Sequence, residues 1–224
     1  MIKKQLMPNI IRYKNYSEKE FEILKAFEQY YGIYTTANNC WEFLALAQHS
    51  GLYTRLIDFT YNPFVALFFS LNIQKKTGNQ YIIYAINKKD IQIIDNPVNY
   101  SPQFDNGVLY LDSAPFDVDR PFSDVLRHAF ENIKDKNTII ALKPNYRNLR
   151  ILVQQGLFLV PPVLKRQHLD SLFNGKIIKI VIDENIRLDA LDYLIKLGYD
   201  EYHLMPDLDS LCKEINNRID DNRK

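Results

Sequence analysis

Trp41-Glu42-Phe43-Leu44-Ala45-Leu46-Ala47-Gln48-His49-Ser50-Gly51-Leu52-Tyr53-Thr54-Arg55-Leu56-Ile57-Asp58-Phe59-Thr60-Tyr61-Asn62-Pro63 is the densest stretch of the 224-residue chain. It reads as two helices with a polar connection between them. Asn38 or Asn39 caps the first helix, which begins near Trp41 and continues through Leu44, Ala45 and Ala47 to a left-handed stop at Gly51. Asn62 caps the second, and Pro63 takes its first position, where a missing N–H is no loss. The second body, Phe64-Val65-Ala66-Leu67-Phe68-Phe69, is apolar all round and has to be covered on most sides. Thr54, Arg55, Asp58 and Thr60 lie in the connection. Pressed between buried helices, such a segment satisfies its polar groups internally. Arg55 and Asp58 form the expected charge-assisted pair, which either clamps the connection or serves a ligand. His49 reads either as a hydrogen-bonded helix end or as a base.

Upstream, Ser17-Glu18-Lys19-Glu20 reads as a capping box ahead of Phe21, Leu24, Phe27, Tyr30 and Tyr31 at helical spacing. Downstream the period changes. Tyr81–Ile86 reads as a buried strand entered through Thr77-Gly78-Asn79, and Asp90 to Asp119 as a short strand followed by irregular surface. A helix is predicted from Ser123 to Lys134, with Val125, Leu126, Ala129, Phe130 and Ile133 on one face. Strands are predicted at Thr138–Leu142, Leu149–Val153, Leu157–Val160 and Lys176–Ile182, with Gln154-Gln155-Gly156 as a tight hairpin connection. Leu188–Leu197 reads as a helix ending at Gly198, and Asp207 caps a last one carrying Leu208, Leu211, Cys212 and Ile215. The expected fold is therefore α+β. It is a single domain over 1–224, with a helical first third, then a mixed or antiparallel sheet with flanking helices, and a frayed charged tail at 220–224.

Composition removes several function classes. Seven glycines in 224 residues are few, and no Gly-x-Gly pair exists. The Gly-rich dinucleotide fingerprint and the P-loop, which need clustered glycines against phosphate, are excluded. A formal net charge of +1 gives no global attraction to nucleic acid or an anionic membrane. Cys40 and Cys212 are too few and too far apart for a disulfide scaffold or a zinc site, and fit a reducing compartment. No apolar core of signal-peptide length follows Met1-Ile2-Lys3-Lys4, and the nearly apolar run Pro63 to Leu71 is far short of the ~20 residues a bilayer needs. The expected location is cytoplasmic. His49, His128, His168 and His203 show no metal-ligand spacing, so no metal is expected, and no Gly-x-Ser-x-Gly elbow occurs. The aromatics sit inside apolar runs, where packing explains them better than base stacking.

A second polar group, Arg150 with Gln154 and Gln155, surrounds the predicted hairpin. On spacing alone these are turn amides bonded to backbone. Yet this segment and the first together resemble the FRG domain family of bacterial and phage proteins. The stretches that carry the resemblance are Trp41–Ser70, Leu149–Val160 with its Gln-Gln-Gly-Leu-Phe, and Asp200–Ile215 with Pro-Asp-Leu-Asp. The Phe/Tyr-Arg-Gly motif that names the family is expected upstream of Leu6-Met7-Pro8, and the sequence from Met1 does not contain it.

By analogy the resemblance extends to mono-ADP-ribosyltransferases. Those enzymes bind NAD with an early Arg, carry a Ser-Thr-Ser strand ahead of a helix, and use a Glu before a final hairpin against an oxocarbenium-like transition state. Carried over, Thr54 and Thr60 flank the middle motif, and Arg150 falls near the Glu position with Gln154 and Gln155 in the turn beyond. Neither Arg nor Gln replaces a carboxylate beside a developing cation. Asp58 is then the nearest acid.

The resemblance thus implies an FRG-domain protein with a polar pocket. The implied activity is on NAD or a related nucleotide, as an ADP-ribosyltransferase or NAD hydrolase, and the implied setting is phage defence, a prophage or another mobile-element conflict. Asp58 and His49 are the catalytic candidates. Thr54, Arg55, Thr60, Arg150, Gln154 and Gln155 are the ligand-binding ones, with Arg55 on phosphate or ribose. NAD enters as substrate, with no tightly bound cofactor. The competing expectation is a non-catalytic module that senses or inhibits a phage or host protein.

Overall fold

Helix boundaries in the computed structural model follow the caps more closely than the strands follow their runs. The structure describes residues 6–72, 80–95, 101–105, 108–112, 120–131, 140–143, 149–161, 164, 176–208, 210–212 and 215–216. α1 (Tyr16–Tyr30) does not start from a capping box, because its cap is Asn15, in the left-handed region at φ 55°, with no side-chain capping bond. Glu20 is instead fully buried on the inner face with Phe21 and Leu24. α2 (Cys40–His49) starts as expected at Asn39, whose Oδ1 accepts from the N–H groups of Trp41 (3.0 Å) and Glu42 (2.9 Å). It ends before Gly51 at φ 89°, where a side chain would strain the backbone. β1 (Ile57–Thr60) follows, then α3 (Pro63–Leu71), with the Asn62 Oδ1 accepting from Phe64 N–H at 2.9 Å. α3 buries Val65, Phe68 and Leu71, keeps Leu67 and Phe69 half-buried against the same core, and exposes Phe64 in its first turn.

β2 (Tyr81–Ile86) and β3 (Gln92–Asp95) stand where strands are predicted, although only Tyr81 of β2 is fully buried. The region expected to be irregular contains an antiparallel pair, β4 (Ser101–Asp105) and β5 (Val108–Asp112), with Asp105 opposite Val108. The intervening dipeptide is Asn106-Gly107, the strongest short hairpin signal in sequence, which the scattered prolines mask. α4 (Phe122–Glu131) buries Ser123, Leu126, Ala129 and Phe130, and β6 (Ile140–Lys143) matches its predicted strand.

Leu149–Val153 is a correction. It forms a helix, α5, not a strand, so the expected hairpin before β7 (Gly156–Val160) is a helix-to-strand turn. Its backbone continues helically, Gln154 N–H donating to Arg150 C=O at 3.1 Å, and Gln155 takes the left-handed φ of 48°. A short apolar run does not distinguish strand from helix by itself, and α5 buries Ile151 while Leu149 and Leu152 stay exposed. β8 (Ile177–Ile182) and α6 (Arg187–Lys196) follow as predicted, with Gly198 at φ 83°. α7 (Glu201–Leu204), capped by Asp200 on His203 N–H at 2.8 Å, has no counterpart in the predicted elements. The Asp207 Oδ1 accepts from Ser210 N–H at 2.7 Å, capping helical residues at 208, 210–212 and 215–216. The entry at 77–79, the position of Ile133 and the tail at 220–224 lie outside the described residues.

The α+β class holds. The described strands form a four-stranded sheet of order β1-β7-β6-β3 and two pairs, β2-β8 and β4-β5. β3 runs parallel to β6, which runs antiparallel to β7 with Ile140 opposite Val160 and Leu142 opposite Phe158. The chain divides into two compact units that interleave along it.

The first unit takes Met1–Asp58, Ile86–Asn145 and Leu157–Ile177. Its core includes Trp41, Phe43, Leu44, Ala47 and Leu126, with the Trp41 ring edge-on to Phe130 at 6.1 Å. Glu28 on α1 caps α4, accepting from the N–H groups of Phe122 and Ser123. The second unit takes Phe59–Ala85, Tyr146–Gly156 and Ile178–Lys224. Its core joins Val65, Phe68 and Leu71 of α3 to Tyr81, Ile182, Leu194 and Leu204.

Candidate functional site

Arg55 is an interior residue. It is 3% exposed and pairs with Glu20 at 0% exposure, not with Asp58. The Arg55 Nε donates to both Glu20 carboxylate oxygens (3.1 and 3.0 Å), Nη2 donates to Oε2 at 2.6 Å, and the Arg55 backbone N–H donates to Oε1 at 2.9 Å. Nη1 donates to the Pro161 carbonyl at 3.5 Å. The guanidinium carbon lies 3.4 Å from the Phe130 ring centroid and 5.9 Å from that of Phe21. A planar, delocalised cation with a fork of donors suits such a place, since one face stacks while the edge is bonded. Its charge is balanced inside the fold by Glu20.

Asp58 sits three positions further on, at the exposed side of β1. Its Oδ2 accepts from the Gln48 side-chain Nε2 at 3.1 Å. The Gln48 Oε1 in turn accepts from the Thr54 hydroxyl at 2.7 Å, and the Thr54 Oγ1 accepts from Leu56 N–H at 3.0 Å. Thr54 is fully buried, Gln48 half-buried and Asp58 exposed, so this chain of bonds runs from the interior to the surface. It links the last turn of α2 to the segment entering β1. Gln48 stands beside His49 in the same stretch and is not one of the residues that the sequence singles out.

His49 is half-buried at the end of α2, its ring edge-on to Phe158 with centroids 5.9 Å apart. In the second unit, the Thr60 hydroxyl donates to the Gln154 carbonyl at 2.7 Å and accepts from Asn62 N–H at 2.9 Å. The Gln154 Nε2 donates to the Leu204 carbonyl at 2.7 Å, and the Gln155 carbonyl accepts from Tyr61 N–H at 3.1 Å. The Thr60 hydroxyl and the Gln154 amide thus both bond to backbone carbonyls. Arg150 is half-buried on α5. Within the first unit, then, Thr54 and Asp58 meet through Gln48, and within the second Thr60 meets Gln154.

Among the described residues a cavity of about 380 Å³ opens in the first unit, lined by Glu18, Phe21, Arg55, Arg127, Phe130 and Glu131 together with Ser17 and Leu164. Arg127 lies over the other ring, 5.1 Å from the Phe21 centroid. Of the expected site residues, Arg55 alone lines this cavity. Glu20, which sequence reading assigned to a cap, has a detectable signal: it falls on the same helical face as Leu24 and Phe27, spaced by four and seven.

Burial pushes the Cys40 thiol well above its ordinary value, which makes it an inert core group. Among the described residues no group of three or more His, Cys, Asp or Glu side chains is placed to hold a metal ion, and no helix is long and apolar enough to cross a membrane.

Residues 2–79 match the family model described as the FRG domain. The match contains Glu20, Gln48, His49, Thr54, Arg55, Asp58 and Thr60, and stops short of Arg150, Gln154 and Gln155. No curated protein and no solved structure matches the chain.

Proposed function

We propose that this chain, whose residues 2–79 match the FRG domain model, acts on NAD or a related nucleotide, with Asp58 as the working acid. The biological setting that goes with the family resemblance is phage defence or another mobile-element conflict. One observation carries the chemistry: an exposed carboxylate whose Oδ2 is held by an amide that the buried Thr54 orients. In the reaction the bond between nicotinamide nitrogen and ribose C1′ breaks, and the electron pair leaves with nicotinamide. The sugar is left as an oxocarbenium-like cation. Water or an acceptor hydroxyl then bonds to C1′ and gives up its proton. A fixed negative charge beside C1′ lowers that barrier, and a single preorganised group of this kind is worth on the order of 10²–10³ in rate.

Incubation of the purified protein with NAD tests the proposal. The expected result is nicotinamide release, or a mass increase on a protein or nucleic-acid acceptor. Neither product, together with no thermal shift in NAD, would exclude it.

A second reading is favoured by Arg55. The residue expected to grip phosphate is committed to Glu20, and the segment expected to complete a hairpin is the helix α5. On that reading the domain is a non-catalytic module that recognises a phage or host protein. Asp58→Asn would then leave biological activity intact, while changes elsewhere on the surface abolish it.

A further inference from the structure

We infer that Gln48 is a positioning residue for Asp58, and that the run Leu56 N–H, Thr54 hydroxyl, Gln48 amide, Asp58 carboxylate is a hydrogen-bond relay of fixed direction. The inference rests on the reading of Asp58 as the working acid and adds a residue that reading did not include. Direction follows from what each group is able to do. An ionised carboxylate only accepts, so the Gln48 group facing Asp58 at 3.1 Å has to be the NH₂. That turns Oε1 toward Thr54, 2.7 Å away, and an amide oxygen only accepts, so the Thr54 hydroxyl donates to it. The Thr54 oxygen meanwhile receives the Leu56 N–H at 3.0 Å, which cannot act in any other sense than as donor. Donors and acceptors therefore alternate without conflict from a backbone amide to the acid.

The ends of the relay differ in rigidity. Thr54 is fully buried, and the neighbouring Arg55 is locked to Glu20 by side chain and main chain alike. The Thr54 rotamer is thus set by the interior of the fold. Gln48 belongs to the final turn of α2, whose cap and stop at Asn39 and Gly51 fix its start and end. The flexible member is the Gln48 side chain, with three torsions, and both of its polar ends are bonded. A surface carboxylate ordinarily samples several rotamers. Here one of its oxygens is directed by a group anchored in the core, which is how an acid is kept in place before a substrate arrives.

The test follows Asp58 itself, by NMR titration of its side-chain carboxyl, in Gln48→Leu, Gln48→Glu, Thr54→Val and Thr54→Ser. Losing the amide donor in Gln48→Leu should raise the midpoint of Asp58 protonation by about one pH unit, a roughly tenfold change in proton affinity. Gln48→Glu keeps the shape and the acceptor for Thr54 but sets a second carboxylate against the first, and should raise the midpoint further. Thr54→Val should move it in the same direction, and Thr54→Ser should restore it.

A midpoint unchanged in Gln48→Glu, with the melting temperature preserved, would overturn the relay. So would equal behaviour of the Val and Ser variants at 54. Nicotinamide release is measured in parallel. A shifted midpoint in a protein without activity on NAD would leave the relay standing and remove the enzymatic reading, so the two outcomes stay separate.

Discussion

Arg55 and Asp58 stand three residues apart and were expected to face each other, yet they do opposite things. Arg55 turns inward, where Glu20 and Phe130 enclose it. Asp58 turns outward, where an amide supplied by the preceding helix donates to it. Thr54, just before them, is buried and contributes to the outward arm. One short connection thus contains an anchor and a presented acid. The difference is governed by desolvation: a buried ion requires a partner of opposite charge, whereas a surface ion needs only a group that holds its orientation.

Breaking the anchor should have the largest effect on stability. Glu20→Ala leaves a guanidinium buried without its counter-charge, and the expected loss is about 3–5 kcal/mol, on the order of 10 °C in melting temperature. A thermal melt checks this. A loss below about 1 kcal/mol would mean that the interior around Arg55 is wet, and would blur the contrast with Asp58.

Thr60→Val removes the hydroxyl that joins the Gln154 carbonyl to Asn62 N–H, and is expected to cost about 1–2 kcal/mol in denaturant unfolding. That intermediate value would place Thr60 with the structural residues. A variant of full stability with impaired NAD reaction would move it to the presented side instead.

The smallest effect is read in chemistry. Under native conditions a thiol reagent should modify the exposed Cys212 and spare Cys40, raising the labelled total from one to two only on unfolding. The sign for pH follows from burial. The Cys40 thiol is raised in the folded state above its ordinary 9.0, so its contribution to stability is complete below that value. It is lost progressively as pH rises beyond 9.0, where the unfolded chain ionises first. A pH series of unfolding midpoints, compared with Cys40→Ala, isolates that loss.

Much of this contrast was legible in sequence and part was hidden. The caps Asn39 and Asn62 and the stop at Gly51 announce themselves locally, because each satisfies backbone groups within three residues. Thr60 and the glutamines were rightly open to a reading as turn groups. The partner of Arg55 lies 35 positions away, on another helix, and no local pattern pairs them. Asp58 is the nearer acid in sequence, and that nearness makes it the expected partner. Leu149–Val153 failed for a different cause: four apolar residues and Arg150 carry too little periodicity to distinguish a strand from a helix. Asn106-Gly107, conversely, was a local signal that a proline-rich context concealed.

The central claim is that the inward arm builds the fold and the outward arm performs the chemistry. Asp58→Asn tests it most directly, since an asparagine oxygen still accepts from Gln48 and only the charge is lost. Its melting curve and its rate of nicotinamide release from NAD are measured on the same preparation. The predicted result is stability within about 0.5 kcal/mol of the parent and a rate lowered by on the order of 10²–10³. A rate equal to that of the parent, in a protein that melts at the same temperature, would contradict it.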